Sequence, residues 1–195
     1  MATGSRFTVA APVLLLLAAC GSDVGEAPTS PPCDDECRDR VALRAVREMT
    51  KLAYNLLLQG NPVGMQTEGG PCPLGGFVVV FGEASSNAEQ GATVVDLAYG
   101  FEDCAYLEVD DEPDETYRMT LTGVLTQNGT LAAQPSATTA LVMQSDSMTM
   151  NGTVYDPPLA YGEEGCALEL GQNGNDLSGL MCGREVGVDL SGGQN

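Results

Sequence analysis

Thiols and carboxylates are the side chains this sequence offers in number for chemistry. It holds seven Cys and 27 Asp plus Glu, with no His. Without histidine the commonest general base near neutral pH is gone. Ser-His-Asp and Cys-His constellations go with it, as do the usual zinc sites. Paired carboxylates alone can cleave glycosidic bonds, but nothing in the sequence singles out one pair among so many acids. No Gly-x-Ser-x-Gly elbow, phosphate-binding loop or dinucleotide fingerprint occurs. The sequence therefore assigns no catalytic residue, no cofactor and no metal. Its formal net charge of −19 would repel a phosphate backbone, which argues against nucleic acid as a partner. The same charge suits solubility, attraction of cations or a basic partner.

One cysteine stands apart. Cys20 directly follows an apolar run from about Val9 to Leu17 and the two small residues Ala18 and Ala19, and Arg6 lies upstream of that run. A cationic start, a short apolar stretch and small residues before a cut make an export signal. The run is well short of the ~20 residues that span a bilayer. Leu17-Ala18-Ala19-Cys20 resembles the lipobox of bacterial lipoprotein precursors. The resemblance covers these residues alone. It implies that residues 1–19 are removed and that the Cys20 thiol carries a diacylglyceryl group as a thioether. The membrane is then a partner through the N-terminal lipid. Gly21, where an aspartate would favour retention in an inner membrane, points to the outer membrane of a Gram-negative envelope.

Removing Cys20 from the thiol count leaves Cys33, Cys37, Cys72, Cys104, Cys166 and Cys182. An even number in an exported chain reads as three disulfides. Oxidising surroundings and scattered spacing argue against a shared thiolate metal site.

Residues 20–32, small, polar and proline-bearing, read as a flexible tether, and residues 33–195 as a single domain. The spacing predicts a helix over 34–59. Val41, Ala42, Ala45, Val46, Met49, Leu52, Ala53, Leu56 and Leu57 fall on one broad face, as an amphipathic helix requires. Arg40, Arg44, Arg47 and Lys51 recur along the opposite face. That stripe could contact anionic headgroups or an acidic partner, or be a solvated surface. Asp34, Asp35 and Glu36 suit the helix start, and Gly60 with Pro62 its stop.

From Cys72 onward, alternation and turn residues predict strands at 75–83, 92–103, 116–127, 138–155, 165–171 and 177–183, the fourth being two strands or bulged. Val95, Leu97, Tyr99 and Phe101 share one face; so do Tyr117, Met119, Leu121 and Leu125. One apolar and one wet face mark a one-sided antiparallel sheet. Asn128-Gly129, Asn151-Gly152 and Asn173-Gly174 are candidate turns. Asp110, Asp111, Glu112, Asp114 and Glu115 make an acidic loop without the spacing of a calcium-binding loop. The expected fold is α+β: an N-terminal amphipathic helix packed on an antiparallel β-meander, half-barrel or sandwich-like. Hairpin ends then bring Cys72 to Cys104 and Cys166 to Cys182, leaving Cys33 for Cys37.

Cys72-Pro73-Leu74-Gly75-Gly76, Phe101-Glu102-Asp103-Cys104 and Thr120-Leu121-Thr122-Gly123 loosely resemble small cysteine-stapled exported lipoproteins of unassigned function. The resemblance brings no catalytic residues. The expected function is a non-enzymatic, membrane-anchored envelope lipoprotein with a structural or interaction role, its partner an envelope protein. The alternative is a carrier that holds an apolar ligand or lipid between helix and sheet.

Overall fold

The computed structural model describes residues 32–59, 64–87, 89–132 and 137–191. The export signal, Cys20, most of the tether, Gly60 and Pro62 lie outside the described residues.

Helix α1 spans Asp35–Leu57. Asp34 caps its start, accepting a hydrogen bond from the Cys37 amide at 2.9 Å, and Asp35 and Glu36 set negative charge against the helix dipole. Cys33 precedes the cap, outside regular helix, which frees it to bridge to Cys37 with a Cα–Cα distance of 5.2 Å.

Eight strands follow: β1 (Gly64–Pro71), β2 (Phe77–Asn87), β3 (Ala92–Glu108), β4 (Tyr117–Ala132), β5 (Ala140–Val154), β6 (Leu159–Asn173), β7 (Asp176–Met181) and β8 (Arg184–Asp189). They form one antiparallel sheet in chain order, with β1 and β8 as its edges. The sheet is not closed. The expected helix-on-meander architecture holds, as a single open sheet rather than a sandwich.

The anticipated inward residues are inside. Val95, Leu97, Tyr99 and Phe101 on β3 are buried, as are Tyr117, Met119, Leu121 and Leu125 on β4. Met143, Met148 and Met150 of β5 join Met119 in the core, all fully buried. Unbranched thioethers fill irregular gaps, which suits a core lacking tryptophan. The outer face is less uniformly wet than expected, since Phe77, Val79 and Phe81 of β2 are exposed.

A line of irregularities bends the sheet. Register shifts fall between Phe101 and Cys104 on β3, Gly123 and Thr126 on β4, and Ser145 and Met148 on β5. Phe101 pairs with Gly123, Gly123 with Met148, and Met148 with Cys166, so the shifts run across four adjacent strands. The extra residues on β3 and β5 kink those strands and move the next inward side chain from odd to even numbering. Strand β4 instead keeps odd inward residues from Tyr117 through Gln127. The slip at Asp103, whose φ is 49°, turns Cys104 into the core.

Two of the three Asn-Gly turns are corrected. Asn173-Gly174 joins β6 to β7, but Asn128-Gly129 lies within β4 and Asn151-Gly152 within β5. A Cβ on Gly129 would strike the Ala140 carbonyl, and one on Gly152 the Arg118 carbonyl. These glycines serve the close approach of bent strands rather than chain reversal. The strand expected over 177–183 is also corrected: it runs into the tight turn at Cys182 and Gly183 that links β7 to β8.

The curl also alters the reading of α1. Leu43 and Thr50 lie off the anticipated apolar face yet are fully buried, whereas Leu56 on that face is 58% exposed. The sheet wraps the first two-thirds of the helix from more than one side, while in the last turn only Tyr54 and Leu57 pack against the core.

Candidate functional site

All three expected disulfides are present. Cys72 and Cys104 have Cα atoms 5.3 Å apart, and Cys166 and Cys182 4.5 Å apart. Each bridge ties a cysteine just past the end of β1 or β7 to one within β3 or β6, where strand ends were expected. The Cys33–Cys37 bridge locks the chain entering α1.

The cationic stripe of α1 is not one solvated face. Its outer members are ordinary surface pairs: Arg40 Nη1 lies 3.1 Å from Glu36 Oε1, and Lys51 Nζ lies 3.0 Å from Glu48 Oε2. Arg44 and Arg47 turn inward, because the 3₁₀ turn Pro113–Glu115, β6 and the end of β8 close over this side of the helix. Arg44 Nη1 pairs with Glu115 Oε1 at 3.0 Å, both side chains nearly buried. Its Nη2 donates to the Asp189 carbonyl at 2.9 Å. Glu115, read from sequence as part of a solvated acidic run, is therefore an internal counter-ion. Burial pushes its carboxyl above the ordinary value, against the opposing pull of Arg44.

Arg47 has a different environment. The residue is 8% exposed. Its Nε donates to Gln172 Oε1 at 2.6 Å, and Gln172 Nε2 is held in turn by the Gly174 carbonyl at 2.8 Å. The side chain therefore rests on a neutral amide. Among the described residues no carboxylate forms an ion pair with it. Burial pulls its pKa down; Glu48, engaged by Lys51, and Tyr99 act in the opposite direction.

Arg44, Arg47 and Tyr117 line one cleft of about 750 Å³ between α1, the loop after β3 and the ends of β4 and β6. Among the described residues, Arg44 Nε, Arg47 Nη1 and the Tyr117 hydroxyl are buried without a hydrogen-bond partner. Such groups are uncommon in folded proteins and costly when left so. Burial raises the Tyr117 pKa, so the phenol remains a neutral donor. Three residues that line the cleft thus each carry a buried donor with no acceptor within hydrogen-bond distance, although Glu48, Glu108, Asp110 and Glu115 line the same cleft.

A second polar cluster ties the edge strand to the helix. Arg184 Nε and Nη2 donate to the two carboxylate oxygens of buried Asp39 at 2.7 and 3.0 Å. Arg184 Nη2 also reaches Glu163 at 2.6 Å, and the Tyr161 hydroxyl donates to Asp39 at 3.2 Å. Every member is engaged, which marks it as structural. The acidic loop also satisfies itself in part, with Asp110 Oδ1 accepting from the Glu112 amide. Among the described residues no group of three or more His, Cys, Asp or Glu is placed to hold a metal ion.

Sequence reasoning missed Gln172, Tyr117 and Asp39 as site residues. One signal was present: Gln172 continues the inward series Leu168 and Leu170, and a polar residue in an inward phase must find a partner.

Beside Met49, Ala53, Val78 and the Cys72–Cys104 bridge only about 10 Å³ is free, room for about one water-sized probe. No protein-family model matches the chain, and no curated protein or solved structure is similar to it.

Proposed function

We propose that this chain is a membrane-anchored lipoprotein of the bacterial envelope, tethered through Cys20, whose stapled domain has a binding or interaction role. The observation that carries the reading is the cysteine pairing. The six cysteines after Cys20 pair among themselves, leaving the thiol behind the apolar run as the odd one of seven. Three disulfides suit an oxidising compartment outside the cytoplasm, and a diacylglyceryl thioether needs a cysteine with no disulfide partner. Gly21 favours the outer membrane as the destination.

The apolar region beside the Cys72–Cys104 bridge leaves only about 10 Å³ free, and the roomier cleft beside α1 is lined mostly by charged and polar residues. Both favour interaction over carriage of an apolar ligand, which needs several hundred Å³ of apolar space. The inward course of Arg44 and Arg47 removes half of the cationic stripe from any headgroup contact. Interaction then falls to the polar cleft.

The Cys20→Ser protein tests the anchor. It is expected to leave the membrane fraction, or to accumulate as unprocessed precursor, while its three disulfides still form. Continued membrane association of a processed Cys20→Ser chain would refute the proposal.

A further inference from the structure

We propose that the cleft beside α1 binds a small molecule through a carboxylate, with Arg47 as its counter-ion and Tyr117 as a neutral hydrogen-bond donor. The inference deepens the reading of the cleft as the interacting surface and is independent of the lipid anchor.

The case begins with charge. A guanidinium taken out of water requires an anion or a full set of acceptors. Arg44, one helical turn away, has an anion: Glu115 pairs with one nitrogen, and the Asp189 carbonyl accepts from another. Arg47 has neither, only the amide oxygen of Gln172 on its Nε. The Gln172 contact fixes the plane of the guanidinium and leaves Nη1 buried and unpartnered. Tyr117, 1% exposed, and Arg44 Nε add two more donors that lack acceptors. A constellation of donors alone calls for a ligand that is acceptor-only, which is the hydrogen-bonding character of an oxyanion. The cleft volume of about 750 Å³ falls in the range usual for small-molecule sites, roughly 300–1,000 Å³.

The surroundings select the class of anion. Glu48, Glu108, Asp110 and Glu115 share the cleft with Arg44, Arg47 and Lys51. Acids already outnumber cations there, and Arg44 and Lys51 are paired with Glu115 and Glu48, so Arg47 can neutralise one negative charge and a second would find no unpaired cation. A monoanionic carboxylate is therefore favoured over a phosphate dianion. An ammonium group elsewhere on the ligand would face those acids, so a zwitterionic peptide is the appropriate probe.

A purely structural Arg47 makes the opposite prediction for stability. Replacing a buried charge by an apolar chain of similar length is often neutral or stabilising when the charge lacks a partner. Loss of an arginine that holds the fold together lowers the melting temperature.

The test is titration of the full chain in detergent with glycylglycine, followed by calorimetry and by the side-chain resonances of ¹⁵N-labelled arginine. Saturable binding is expected, with the Arg47 side-chain signal moving. Arg47→Met should weaken it by about ten-fold or more, a loss of about 1.4 kcal/mol or more, with an unchanged or higher melting temperature. Tyr117→Phe should weaken binding while leaving the fold intact, and it carries the test if Arg47→Met does not fold. Inorganic phosphate should not displace the peptide at equal concentration. Absence of saturable binding, binding unaffected by these variants, or displacement by phosphate would each overturn the proposal. None of these results bears on lipidation of Cys20.

Discussion

Asp39 shows how much a single buried side chain can carry. It sits on the helix among Val41, Ala42 and Leu43, yet receives hydrogen bonds from Arg184 and Tyr161 on separate strands. Removing it takes the acceptor from the Tyr161 phenol and leaves the Arg184 guanidinium with Glu163 alone. Asp39→Ala is expected to cost about 2 kcal/mol in urea unfolding with disulfides intact, the usual penalty for leaving charged partners unsatisfied. Arg184→Ala should cost less, because its side chain is 46% exposed and solvent screens its share. A double-mutant cycle should return a coupling of about 1 kcal/mol. Equal and fully additive losses would show the pair to be incidental. Neither residue was legible as a partner in the sequence. An acid within an amphipathic helix looks like surface until the strand that covers it is placed.

At the scale of elements, two alternating runs were legible and took their places. Val95 to Phe101 obeys period two because it lies on one side of the bend, and Tyr117 to Leu125 because β4 crosses the bend without an extra residue. Strands β1 and β8 were not legible. The first is rich in glycine and polar residues, and the second follows a turn that the apolar pattern of Leu180 and Met181 conceals. The bends themselves leave little trace, since a bulge needs only one extra residue. They can be tested through glycine. Gly152→Ala places a Cβ against the Arg118 carbonyl, and should destabilise by about 1–3 kcal/mol, the range for imposed backbone strain. A neutral effect would mean that the strands have room to part. The staples should rank by loop length. Separations of 32, 16 and 4 residues correspond to about 4, 3 and 2 kcal/mol in the chain-entropy model. Pairwise Cys→Ala variants compared by thermal unfolding should follow that order, with Cys72–Cys104 the costliest to lose.

For the whole molecule, the curl of the sheet decides what the helix presents. Spacing along α1 placed Arg44 and Arg47 on an outer stripe; the bent sheet brings them inside. The cleft is thus a product of topology, and no local pattern could have announced it. The same enclosure governs alkaline stability. Burial, and for Tyr106 a hydrogen bond to Glu108, push phenols up: Tyr106 to about 12, with Tyr99, Tyr117 and Tyr161 raised further. The unfolded chain releases these protons near the ordinary value of 10.0. Above that pH the unfolded state binds fewer protons than the folded one, so stability falls as pH rises. Urea midpoints should hold steady below about pH 10 and drop beyond it, with tyrosinate absorbance appearing together with unfolding. Tyrosinate formed by an intact fold near the ordinary value would contradict the burial of these rings.

The proposed anchor and a domain whose apolar core is packed by its own side chains stand or fall on one experiment. Native mass spectrometry of the protein taken from its envelope reads both at once. The account predicts a chain beginning at acylated Cys20, carrying three disulfides and no apolar passenger. An intact Met1 start, an unmodified Cys20, or a lipid retained non-covalently by the folded domain would contradict it.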